Sequence, residues 1–328
     1  MAFSLKLLAG LLALAPTVAC GVETVSGDPS APLVLERTIP LKAVRGRIDH
    51  LAIDLQHRRL FIAELGNGSV EAIDLARGVS LGRIGGLMEP QGLAYLPAED
   101  ELAVASGGDG SVRFYRASDL KPGDVVMLGS DADDMRVDVS GRIVVGYGSG
   151  ALAVISPVRH KVVARLDLPA HPEGFQLQAS RAFVNLPDAK QIAVGDLASG
   201  RITATWPAAH LWNFPMGLEA KSRTLATVYR GPARLQLLDT QSGAIKLDHK
   251  TCEDADDVFF DGPRNRAYVI CGTGAVDVVD LIHPGQSVRV VTRLGARTGI
   301  FVPELGRLFV AARAGRDDAA ILVYRPQP

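Results

Sequence analysis

The chain is poor in several things that common folds and activities require. Aromatic residues make up 5% of 328 positions, there are three cysteines, formal net charge is −1, and no basic run exceeds two consecutive residues. With no basic stripe to meet phosphates, nucleic acid is excluded as an expected partner. Beyond the first 20 residues no segment approaches the roughly 18 unbroken apolar residues that carry a helix across a bilayer. A sustained 3.6-residue period is also missing, which argues against a helical architecture. No C-x-x-C, H-E-x-x-H, calcium-loop or G-x-S-x-G spacing occurs, so none of the linear signatures of zinc, EF-hand or nucleophile-elbow chemistry is available.

What remains is an apolar fraction of 47%, enough for a sizeable core. The N-terminus, "MAFSLKLLAGLLALAPTVAC", has one lysine, an apolar stretch and small residues, the pattern of a secretory signal peptide over residues 1–20. Its end, "TVAC", also resembles a lipoprotein cleavage box with Cys20 as the lipidated residue. Thr17 stands where Leu is usual, so ordinary cleavage near Ala19 is the other reading. The expectation is a periplasmic or secreted protein that meets a membrane only through such an anchor. In that oxidising setting Cys252 and Cys271 read as a disulfide rather than as a metal or catalytic pair.

Seven segments align on one unit, among them "HLAIDLQHRRLFIAE" from His50, "DMRVDVSGRIVVGYG" from Asp134 and "DVFFDGPRNRAYVIC" from Asp257. An apolar residue holds the second position in each: Leu51, Leu93, Met135, Phe175, Met216, Val258 and Ile300, spaced 42, 42, 40, 41, 42 and 42 residues apart. Each unit reads strand, polar turn, strand, Gly- or Pro-containing turn, strand, and several add a fourth strand such as "KVVARLDL". Four strands per 40 residues is the period of a propeller blade. The seventh unit lacks a fourth strand while "PLVLERTIPL" precedes the first. The sequence therefore predicts an all-β, seven-bladed β-propeller over residues 33–328, closed by that N-terminal strand, after a flexible lead-in at 21–32. A monomer is expected. "GYGSG" (146–150) joins two strands instead of opening a helix, so it reads as a β-turn and not a phosphate loop.

The strands "RRLFIAELGNGSVEAIDLARG" and "RNRAYVICGTGAVDVVDL" resemble the YVTN-type repeat, although "GRIVVGYG" in the third unit departs from it. The resemblance implies a seven-bladed propeller of the secreted or surface bacterial kind, among whose relatives are binding proteins and lyases or lactonases. It supplies no catalytic motif to transfer.

A site must then come from residues that a propeller brings together, namely those just before each inner strand. They read "RIDH", "EPQG", "DADD", "HPEG", "WNFP", "DADD" and "ARTG". One mouth of the central channel should therefore collect Asp49, His50, Gln91, Asp131, Asp133, Asp134, His171, Glu173, Asn213, Asp256, Asp257 and Arg297. These suit a small ligand, with Arg297 available for a carboxylate. Carboxylates with His also suit a divalent metal, for which Asp49, Asp133, Glu173 and Asp256 are the candidates. Hydrogen bonding to neighbouring backbone is the structural alternative. Trp206, Trp212 and Phe214 could wall the same mouth or pack between blades.

The leading expectation is an exported binding or scaffold protein that takes a small molecule or protein partner at this mouth. One alternative is a metal-dependent lyase or lactonase-like enzyme with His50 or His171 as base. Another is a protein-interaction module whose mouth is inert.

Overall fold

The structure, a computed structural model, describes residues 31–328 together with Met1. The signal-peptide and lipidation readings at residues 1–20, Cys20 included, lie outside the described residues, as does most of the lead-in. The chain forms seven four-stranded sheets, a seven-bladed β-propeller. Six blades take four consecutive strands each. The seventh is built from Thr298–Val302, Arg307–Ala312 and Ala320–Pro326, with Leu33–Pro40 as its outer strand. That outer strand runs antiparallel to its neighbour, Leu33 opposite Pro326 and Pro40 opposite Ala320. The two ends of the described chain thus share one sheet, and Ala320–Pro326 is left with no open edge.

Burial explains the sequence pattern of each blade. The second strand is pressed between neighbouring blades on both faces, so Arg59–Glu64 and Ile143–Tyr147 are buried at every position. Such strands read as continuous apolar runs instead of alternating ones. The fourth strand faces solvent, and in three blades it keeps a single buried anchor at the same position, Ile84, Leu166 and Trp206. Seven apolar clusters follow the interfaces between adjacent blades. One joins the second and third blades through Phe114, Met135 and Ile155, and another joins the fourth and fifth through Phe183, Met216 and Leu238. Each fully buried side chain of this size contributes about 1.5–3 kcal/mol.

The inner strands all begin at one face of the disc, and their first residues are irregular. Register slips between Pro90 and Leu93, between Asn213 and Met216, and between Ala255 and Asp257 mark bulges that re-aim side chains toward the axis. A residue with positive φ stands four places before the apolar inner residue in four blades: Glu89 (54°), Asp131 (46°), Trp212 (61°) and Asp254 (57°). Asp tolerates this left-handed conformation better than most residues. The first Asp of each "DADD" therefore has a backbone role, which frees the later ones for the axis.

Candidate functional site

At the position immediately before the apolar inner residue, three blades offer a polar side chain and four offer none. His50, Asp134 and Asp257 point to the axis, while Gly92, Gly174, Pro215 and Gly299 leave it open. The glycines are required by close approach. A Cβ at Gly92 would lie 2.1 Å from the Asp133 carbonyl oxygen, and one at Gly174 would lie 2.5 Å from that of Phe214.

His50, Asp134, Asp257 and the neighbouring Arg136 form a constriction that separates two spaces. Outside it is a chamber of about 40 Å³ walled by Arg47, Asp49, Asp133, Glu173, Phe214 and Asp256. Inside is the central channel, about 520 Å³, with walls that include Leu93, Phe259, Phe260 and Ile300 and a far end at Tyr95, Glu219 and Pro303. A volume of that order is typical of small-molecule sites.

Arginines interleave with the carboxylates. The Arg47 guanidinium lies 2.9 Å from Asp49, Arg136 donates to Asp134, and Arg230 donates to Asp256. Arg297 reaches Asp256 at 2.8 Å and Asp254 at 3.1 Å. Asp257 accepts the Gly299 N–H at 2.8 Å, and His50 Nε2 lies 3.8 Å from both Asp49 and Asp134. Burial pushes the Asp257 carboxyl up to about 7, with His50 opposing. Burial likewise raises Asp49, Asp133 and Glu173, and neighbouring carboxylates add to it. For His50 burial works downward, but Asp134, Asp49 and Asp257 outweigh it and carry the imidazole to about 9.

Hydrogen bonding inside the chamber is incomplete. Asp49 Oδ2, Asp134 Oδ2, Asp256 Oδ2 and Arg47 Nε are buried without a hydrogen-bond partner. Asp49 and Asp256 keep charge contacts with Arg47 and Arg297, but those contacts are not aligned as hydrogen bonds. Each such group costs about 1–3 kcal/mol if nothing satisfies it.

The structure brings Asp49, His50, Asp133, Asp134, Glu173, Asp256 and Asp257 together, with Arg297 behind Asp256. The other expected residues lie elsewhere. His171 hydrogen-bonds the Gly148 carbonyl through Nδ1 at 2.6 Å and lies 3.5 Å from half-exposed Asp131, outside the chamber. Gln91 is buried with its amide against Gly107. Asn213 is fully buried and donates to Asn185 at 2.9 Å, tying the fourth and fifth blades. The three aromatics divide as well. Trp206 is a rim anchor packed on Phe183, Trp212 is exposed, and Phe214 lines the chamber beneath the Arg230 guanidinium at 4.1 Å.

Sequence reading missed Arg47, Arg136 and Arg230, although each carried a signal. Arg47 opens "RIDH", Arg136 stands two places after Asp134 on the same face of its strand, and Arg230 sits near the end of a second strand, where strands return to this mouth. The Cys252–Cys271 disulfide is present, with a Cα separation of 5.9 Å. In the ladder Cys271 faces Ala255, so the segment before the strand folds back to bring Cys252 to it, and the bridge pins the loop carrying Asp254 and Asp256.

The divalent-metal reading fits this chamber poorly, because guanidinium groups already stand between the carboxylates. Among the described residues, three possible ligand atoms within 4.8 Å of one another occur at Asp54, His57 and Asp100. These lie on the opposite face. There Arg59 Nε donates to Asp54 at 2.7 Å, a second Arg59 nitrogen donates to Asp100 at 2.7 Å, and the Tyr95 hydroxyl donates to Asp100 at 3.1 Å. The cluster could hold an ion, but its own arginine already bridges the carboxylates and clasps the first two blades.

No protein-family model matches the chain, and no curated protein matches it in sequence. Among solved structures, a chain of Kuenenia stuttgartiensis hydrazine synthase is similar, with a TM-score of 0.74 over 87% of this chain and 97% of that chain, at 16% identity. Likeness at that identity carries the propeller fold and says nothing of chemistry.

Proposed function

We propose that this chain is an exported ligand-binding propeller that captures a small polar molecule at the constriction between chamber and channel. One observation carries the reading: three carboxylate oxygens and one guanidinium nitrogen, on residues that wall the same chamber, are buried without an aligned hydrogen bond, and Asp134 Oδ2 has no charge contact in its place either. A ligand that satisfies them recovers a desolvation cost already present in the folded protein. The signal-like N-terminus and the disulfide support export, since disulfides persist in oxidising compartments. The YVTN-like strands accord with a secreted or surface propeller. The test is a thermal-shift screen of the mature protein against cationic, zwitterionic, anionic and neutral small molecules. At least one class should raise Tm saturably, and the rise at a given concentration should be smaller in Asp134→Asn. A flat response to every class would sink the reading.

A second reading rests on the pair His50 and Asp257, whose shifts to about 9 and about 7 suit an acid and a base at neutral pH. In a lyase-type reaction Asp257 would then abstract the proton and protonated His50 would act as the acid, the reverse of the base role that its residue type suggests. Turnover of a candidate substrate that survives His50→Gln unchanged would remove this reading.

A further inference from the structure

We infer that the ligand is a monovalent organic cation, an ammonium or guanidinium head on an apolar body, with the head at Asp49 and Asp134 and the body in the central channel. The inference rests on the ligand-binding reading above and names the class of molecule.

The groups without an aligned hydrogen bond have a sign. Three are acceptors, on Asp49, Asp134 and Asp256, of which the first and last keep guanidinium contacts at 2.9 and 2.8 Å, and one is a donor, on Arg47. Asp49 and Asp134 are 1% and 4% exposed, so bulk water does not reach them freely. An ammonium offers three N–H donors and a guanidinium five, which answers an excess of acceptors. An anion would add acceptors to a space already short of donors. Charge points the same way: seven carboxyl groups, Asp254 included, outnumber Arg47, Arg136, Arg230, Arg297 and His50, and a bound cation favours the ionised form of those that burial raises. A divalent ion fits less well, because it needs about six oxygens at close range, and the arginines hold the carboxylates apart.

The channel indicates the rest of the molecule. It begins at the constriction and runs about 520 Å³ between Leu93, Phe259, Phe260 and Ile300, room for an alkyl or aryl body. Glu219 stands at its far end, a charge that favours entry of cations from that side.

The experiment is calorimetric titration of the mature protein with four probes: hexylammonium, hexanoate, hexanol and calcium chloride. Hexylammonium should bind saturably at one site, and hexanoate and hexanol should bind at least about tenfold more weakly, as expected when a charge-assisted hydrogen bond is lost. Asp134→Asn should weaken hexylammonium by a similar factor, while Asp100→Asn on the opposite face should leave it unchanged. At neutral pH binding should release protons, seen as a dependence of heat on buffer ionisation, and Asp257→Asn should reduce that dependence. The Asp257→Asn protein also provides a second readout should Asp134→Asn fold poorly.

Hexanol binding as tightly as hexylammonium, or hexanoate or calcium binding more tightly, would overturn the cation class and leave the ligand-binding reading standing. Failure of hexylammonium to bind would also overturn it, and whether the thermal-shift screen still finds a ligand then decides the broader reading separately.

Discussion

The two faces of the disc use the same residue types to opposite ends. On one, Asp54, His57 and Asp100 surround Arg59, and the carboxylates are bonded: Asp54 accepts from the His57 backbone, the His57 ring and Arg59. On the other, more carboxylates surround more arginines, yet three oxygens are left unbonded. A saturated cluster holds blades together, whereas the unsaturated one is kept in place by the fold and is where the proposed ligand would bind. Counting acidic residues does not separate the two, but counting unmet hydrogen bonds does.

The contrast can be broken first at Arg59. Asp54 is 0% exposed, so Arg59→Ala leaves a buried carboxylate with only its two His57 contacts and should cost about 3 kcal/mol in urea denaturation. A change of less than half that would mean the clasp is not saturated by its arginine. Next in size is the disulfide that pins the chamber loop. Replacing Cys252 and Cys271 by Ala should cost about 2–4 kcal/mol. The loss should weaken ligand binding at the chamber and leave the Arg59 clasp intact, which hydrogen exchange on the two faces would report.

A third test uses pH, because the two faces titrate with opposite signs. Burial raises Asp257 to about 7, so its ionisation opposes folding above that pH and the cost is relieved as pH falls toward 4. His50, raised to about 9, stabilises most below about 6.5 and loses its contribution as pH climbs through 9. Both predict a chamber that grows less stable from acid to base. Asp54 behaves otherwise: burial would raise it, but the His57 N–H, Arg59 and the His57 ring together hold it low, so its contribution is lost only in strong acid. Melting at a series of pH values should show the neutral-to-alkaline decline flattened in His50→Gln. The decline between pH 4 and 7 should flatten in Asp257→Asn, and neither should flatten in Asp100→Asn. The smallest effect is expected from Asp134→Asn without ligand, a stability change within about 1 kcal/mol, because it removes charge repulsion along with a bond to Arg136. A loss of several kcal/mol would make Asp134 a structural residue like Asp54.

Much of this was legible in the sequence. The 40–42-residue spacing from Leu51 to Ile300 specified the number of blades, because the inner strand of every blade sets an apolar residue at the same level. The same alignment placed His50, Asp134 and Asp257 at one level of the axis. It failed at His171, Gln91 and Asn213, which share the right segments but point away. A bulge or one left-handed residue turns a side chain by half a strand period, and neither Trp212 nor Asp254 announces its φ. Arg230 escaped for a different reason: it sits at the end of a second strand, outside the inner-strand segments that the repeat brings into register.

The sequence by itself thus determined the repeat, the closure partners and the level at which polar residues meet, since all three follow from periodicity and burial. Tertiary structure alone decided which carboxylates received an arginine from another blade. Those partners come from different blades, as with Arg297 and Asp256 or Arg59 and Asp100, and their distances depend on how seven sheets pack around an axis.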